Sequence, residues 1–328
     1  MRRRLFLSAA AAAVAAPSVL RAQTRERITY AHLLDPAYEA VTWAMRNGKV
    51  PSDRVTVETT PLAIPQLIQA TGARQYDVIQ TAVIAIPPAH ARGLQTRIMA
   101  AALQASPRGE GAGIWVKNDS PIRTAADLRG KTVGSYGLRS TGYTIVRFAL
   151  KFAHGLNVAL EGGDFRQVEI QAPNLPAALA TGQIDAATLI HSQAFRARQG
   201  NDFRVIAQTD QDIERQFRQR FVSAINIGYP EKIAQRPEAY REFNRMFRAS
   251  ARYAQEHPEE VFTAVGRESN LPPAFFEWWF SSASDVPGIV GDNQLQAIET
   301  VWRLAREMEL IPNYPNPREL VSDLALRE

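Results

Sequence analysis

The run Gly113–Tyr143 reads GIWVKNDSPIRTAADLRGKTVGSYGLRSTGY, and its reading decides the organisation of the chain. Gly113–Val116 is a short apolar strand. Thr124-Ala-Ala-Asp127 has capping-box spacing, so a short helix begins there. Lys131–Ser135 is the next strand, and GSYGLRSTGY carries the chain into the apolar helix that follows. Ser140 and Thr141 beside the free N–H groups of a helix start suit an anion or a strongly polar group. Either residue could equally cap its own helix. The loop is no nucleotide motif. No lysine stands in a Walker frame, and Gly134, Gly137 and Gly142 lack dinucleotide spacing.

The alternation extends in both directions. Upstream, Arg27–His32, Arg54–Thr59, Tyr76–Gln80 and Arg97–Leu103 read as strands. Between them Pro36–Asn47, Ile64–Ala70 and Val83–Arg92 read as helices, the last two stopped by Gly72 and Gly93. Downstream, Val168–Gln171, Ile184–Ile190, Phe203–Ala207 and Val222–Gly228 read as strands. Asn174 is the expected cap of a helix over Asn174–Ala180. The fold class predicted is α/β with parallel, doubly wound sheets. After Tyr229 the chain reads as helical over Pro237–His257, Pro258–Gly266, Pro273–Phe280 and Asn293–Met308. Trp278, Trp279 and Trp302 are expected in the core.

One internal echo places a site. Ala70-Thr71-Gly72 leads to Asp77, a strand and Gln80-Thr81. Ala180-Thr181-Gly182 leads to Asp185, a strand and His191-Ser192-Gln193. Two similar halves would bring both polar clusters to strand C-terminal ends, where open α/β sheets bind ligands. His32, which ends the first strand, joins them.

Residues 1–22, with Arg2-Arg3-Arg4 before a short apolar run and Ala22 at the cleavage position, read as a signal peptide of twin-arginine type. The mature protein is expected in the periplasm. Those residues hold four arginines and no acid, so of the formal +5 only +1 remains on the rest. That balance gives no footprint for nucleic acid. The chain has no cysteine. Disulfides, thiol nucleophiles and Cys-bound metals are therefore excluded. The five histidines lack ligand spacing, and neither a metal nor a cofactor is expected.

Three stretches carry a family resemblance: PQLIQATGARQYDVIQT, KNDSPIRTAADLRGKTVGSYG with its Ser-Thr loop, and PNLPAALATGQIDAATLIHS. The chain resembles the substrate-binding proteins of ABC importers for nitrate, taurine, alkanesulfonates and thiamine-pyrimidine precursors. The resemblance implies a type II periplasmic-binding-protein fold: two lobes, 24–107 plus 223–328 and 108–222, joined by crossings near Gly111–Val116 and Val222–Gly228. It implies a monomer that captures a small polar or anionic solute, such as a sulfonate or aromatic carboxylate. The solute passes to an inner-membrane ABC permease with its cytoplasmic ATPase. The expected ligand-binding residues are His32, Thr81, Ala82, Arg139, Ser140, Thr141, Tyr143, His191, Ser192 and Gln193. Tyr38, Tyr136 and Tyr143 would suit a flat partner. Ile190-His191-Ser192 stands where relatives often carry a Trp-acid-Pro run, and Ala82-Val83 where they have Gly-Pro, which points to a different ligand. A periplasmic sensor is the alternative role. An enzyme is not expected, because the family's desulfinases and pyrimidine synthases use cysteine and no nucleophile elbow is present.

Overall fold

The computed structural model describes residues 25–328. The expected signal peptide lies outside them. The order begins β1 (Glu26–Leu33), α1 (Pro36–Arg46), β2 (Val55–Leu62), α2 (Ile64–Ala73), β3 (Val78–Ala82), α3 (Ile86–Ala91) and β4 (Arg97–Ala105). It continues with β5 (Gly113–Lys117), β6 (Thr132–Ser135), α4 (Thr141–Phe152), β7 (Arg166–Glu169), α5 (Leu175–Ala180), β8 (Ala186–Leu189), α6 (His191–Gln199), β9 (Phe203–Ala207), α7 (Thr209–Phe217) and β10 (Val222–Gly228). The remainder is α8 (Pro230–Gln235), α9 (Pro237–Glu256), α10 (Pro258–Ser269), α11 (Pro273–Trp278), β11 (Ser284–Asp285), α12 (Asp292–Glu307) and α13 (Pro317–Leu320).

Two sheets result. One runs β11-β4-β10-β3-β1-β2 and the other β7-β6-β8-β5-β9. Leaving β11 aside, each sheet has the same plan: three parallel strands, then an antiparallel strand, then an outer one. The antiparallel member, β10 or β5, is in each case the strand that enters from the other sheet. The expectation of parallel sheets therefore fails at those strands, since a strand arriving from the neighbouring lobe runs back against its hosts. Gly113–Val116 and Val222–Gly228 lie within the sheets. The connections between sheets are Ser106–Ala112 and the stretch through α7. They touch where Thr209 N–H donates to the Ala112 carbonyl at 3.1 Å and Gln211 Nε2 donates to the Arg108 carbonyl at 2.9 Å.

The internal echo is structural. Asp77 Oδ2 accepts the Thr29 N–H at 3.0 Å, and Asp185 Oδ2 accepts the Thr132 N–H at 2.7 Å. Each aspartate thus anchors the neighbouring parallel strand, β1 in one sheet and β6 in the other, just before the two strands begin to pair. Gly134 and Gly142, on either side of the loop before α4, are there for packing. A Cβ on Gly134 would lie 2.5 Å from Ile184 Cδ1, and one on Gly142 would collide with the Tyr136 hydroxyl. The first lets α5 pack against β6, and the second lets Tyr136 lie against the start of α4.

The C-terminal helices cover the first sheet. Trp279 and Trp302 are fully buried there, as their expected core role requires. Trp302 also donates its indole N–H to the Val83 carbonyl at 2.9 Å, which fixes the turn after β3. The helix expected over Pro273–Phe280 ends at Trp278 and passes into a wider π-type turn, Trp279–Ala283. Asn174 makes no side-chain cap. It closes the 3₁₀ turn Ala172–Asn174 instead. At Thr124 the short helix is a 3₁₀ turn, Ala125–Leu128, and the Asp127 half of the capping box forms: its carboxylate accepts the Thr124 N–H at 2.9 Å and the Thr124 hydroxyl at 3.1 Å.

Candidate functional site

The sheets meet across a cleft at the C-terminal ends of β3 and β8 and the start of α4. An inner pocket of about 80 Å³ lies there. It opens past Leu33, Ile64, Tyr136, Ile190 and His191 into an outer cleft of about 1090 Å³.

Thr81, Ala82, Ser140, Thr141 and His191 all line the inner pocket. Ser140 caps α4: its hydroxyl donates to the Gly137 carbonyl at 2.8 Å and accepts the Tyr143 N–H at 3.1 Å. Its proton is thereby used within the loop. Its carbonyl takes the Thr144 N–H. The N–H groups of Thr141 and Gly142 are left without a partner among the described residues, and the helix dipole adds partial positive charge there. Thr141 Oγ1 accepts the Ile84 N–H at 3.1 Å, a buried bond between the two lobes. An accepting hydroxyl still has its own proton to donate, so Thr141 is the better ligand donor of the pair.

His191 also spans the lobes. The Trp279 indole, which can only donate, reaches His191 Nδ1 at 2.7 Å. Nδ1 is therefore the acceptor, and the neutral ring carries its proton on Nε2. Asp35 Oδ1, which caps α1, lies 3.5 Å from the same Nδ1. His191 holds φ at +47°, a left-handed conformation that costs a non-glycine residue energy and marks an over-determined position. Phe195 on α6 packs against Phe275 and Trp278, and Trp278 donates to Glu110 at 3.0 Å. The lobes are thus drawn together by aromatic and polar contacts around the cleft.

Five of the expected residues lie elsewhere. His32 is fully buried in the first lobe, between Tyr30 and Tyr38, with Nδ1 3.0 Å from the Leu33 carbonyl. Burial holds its pKa down to about 4. Residues alternate faces along β1, and this face points into the packing. Tyr143 is buried in the second lobe, bonding Gln167 at 2.8 Å. Tyr38 is likewise buried, donating to the Ala102 carbonyl. Of the three tyrosines only Tyr136 reaches the pocket. Arg139 lines a different cavity. Ser192 and Gln193 line the outer cleft, not the inner pocket.

Gln80, Leu67, Leu103, Ser223 and Ala224 line the pocket without having been expected there. Gln80 was legible as part of the polar end of β3. Ser223 and Ala224 were not, because the start of β10 reaches the cleft only through its antiparallel direction. No lysine or arginine lines the inner pocket. In the outer cleft Arg196 faces Asp35, Glu169 and Asp202, an acidic balance. The site therefore offers apolar walls, a few neutral donors and one helix N-terminus.

Two crossed-over α/β lobes around such a cleft define a type II periplasmic-binding-protein fold. The NMT1/THI5-like family model matches residues 61–261, well over half of the chain, and the chain belongs to that family. No curated protein matches the sequence. Among solved structures it is similar to the periplasmic aliphatic sulphonate binding protein SsuA from Escherichia coli: 16% identity, TM-score 0.70, covering 93% of this chain and 94% of that one. It is also similar to the alkanesulfonate-binding protein SsuA from Xanthomonas axonopodis pv. citri bound to MOPS: 17% identity, TM-score 0.68, covering 91% and 98%. A cysteine-to-serine variant of DszB in complex with biphenyl-2-sulfinic acid shares the fold at 16% identity, TM-score 0.62, covering 92% and 97%.

Proposed function

We propose that the chain is an extracytoplasmic solute-binding protein, exported by its N-terminal signal, that captures a small solute between its lobes and delivers it to an ABC permease. The carrying observation is the seam beside the inner pocket. Thr141 of one lobe and Ile84 of the other bond directly, so filling the pocket and closing the lobes are coupled events. The lining favours an apolar body with one polar or singly anionic end, seated at the N-terminus of α4. An aromatic carboxylate or a monosulfonate has that form. A dianion would find no cation in the inner pocket and an acidic balance, three carboxylates to the single Arg196, in the outer cleft. The sulfonate-binding relatives support the solute class by their fold alone.

An enzymatic reading finds little support. The chain has no cysteine. The His191 nitrogen that approaches Asp35 is occupied by the Trp279 N–H, and no serine hydroxyl bonds His191 among the described residues. A Ser-His-acid relay needs the opposite arrangement.

The test is a thermal-shift screen of the purified protein against sulfonates, aromatic carboxylates, nitrate, amino acids and pyrimidines. A solute at a hundredfold its Kd stabilises the folded state by about 2.7 kcal/mol, and at least one class is expected to raise the melting point. A flat profile across the panel overturns the proposed ligand chemistry.

A further inference from the structure

Behind the inner pocket lies a second cavity, of about 790 Å³, with walls from both lobes. The two stand back to back. Thr81 lines the inner pocket and Thr71 the second cavity, with their hydroxyls 2.8 Å apart. The chemistry of the second cavity is opposite to that of the outer cleft. Ile84, Ala85, Leu138, Leu310 and Ile311 give it apolar walls, and four arginines line it. Arg74 is paired with Glu231 at 3.0 Å. Arg92, Arg139 and Arg147 pair with no carboxylate among the described residues. Arg147 is only 3% exposed, and its Nε and Nη2 both donate to a single neutral acceptor, the Val158 carbonyl, at 3.1 and 2.8 Å. One carboxylate, the exposed Glu309, shares the lining.

A buried guanidinium without a counter-charge is unfavourable, and an anion arriving beside it relieves that cost. Arginine is also the side chain best shaped to grip carboxylate, sulfonate or phosphate oxygens. We propose that this cavity is a second binding site, for a small organic anion with an apolar body, independent of the inner pocket. Arg92 of the first lobe and Arg139 and Arg147 of the second hold the anionic group, and the aliphatic walls hold the body. An occupant would tie the lobes together from behind the Ile84–Thr141 seam.

The experiment titrates anilinonaphthalene sulfonate, one sulfonate on an aromatic body, into the purified protein and follows its fluorescence. Saturable binding is expected. The Arg92→Gln/Arg139→Gln protein, altered only at exposed positions, should bind the probe at least about tenfold more weakly, since two charged hydrogen-bond donors are lost. The Arg92→Lys/Arg139→Lys protein keeps the charge without the planar fork and should bind the probe more tightly than the glutamine variant and less tightly than wild type. Equal binding by wild type and the glutamine variant overturns the proposal. So does loss of the probe in a Thr81→Ala/Thr141→Val protein with no loss in the arginine variants. That result would place the probe in the inner pocket and leave the solute-binding reading standing. Conversely, probe lost only with the arginines supports this site whatever the thermal-shift screen returns.

Discussion

Thr141→Val is the sharpest probe of the seam between the lobes. Valine keeps the shape of threonine and removes the oxygen. In the closed form the Ile84 N–H, now 3.1 Å from Thr141 Oγ1, would be left buried with no acceptor, since Ile84 is only 8% exposed. A buried donor without a partner costs about 1–3 kcal/mol. In an opened form the same N–H meets water and loses nothing. The whole penalty therefore falls on closure, and ligand binding, which requires closure, weakens by about fivefold to 150-fold. The melting point should fall little, by about 2 °C or less, because the chain can open before it unfolds. Calorimetry with the stabilising solute reads the affinity, and amide exchange at Ile84 reads the bond itself. Native affinity together with undiminished protection of the Ile84 amide would refute the coupling of this bond to closure.

Ser140→Ala should act on stability instead. It removes the cap that holds the Tyr143 N–H and should cost about 1 kcal/mol, seen as a lower melting point with the solute affinity changed far less than by Thr141→Val. His32 makes the fold acid-sensitive. Its folded pKa, lowered to about 4 by burial against an ordinary 6.5, means that the unfolded chain takes up the proton first as pH falls. Stability attributable to His32 is full above pH 6.5 and declines between 6.5 and 4, by about 3 kcal/mol in all. His32→Gln should flatten that part of the melting-point profile, and an unchanged acid slope would show that other groups set it. Mass spectrometry of the exported protein should find cleavage after Ala22, and a mature chain that keeps Met1 would contradict the signal reading.

Much of the fold was legible because its signals are local. The alternation of strands and helices, the Thr124–Asp127 spacing and the loop before α4 each depend on residues within a few positions of one another, and the matching positions of Asp77 and Asp185 are visible as a repeat although the strands they anchor lie about fifty residues upstream. Those features determine two α/β units with polar strand ends. They cannot determine which side of a strand end meets a partner lobe. His32 and Thr81 both stand near the ends of adjacent strands, yet one is packed between Tyr30 and Tyr38 and the other lines the pocket. Arg139 and Thr141 are two residues apart and line different cavities. Trp279 reads as core from its helical stripe, and it is core, but the π-type turn also delivers its N–H to His191 from the far end of the sequence. Sheet order, the reversed direction of β10 and the approach of the lobes place Ser223, Ala224 and Trp279 at the site. These are contacts between segments distant in sequence, set by how two hydrophobic faces pack, and no periodicity within either segment encodes them.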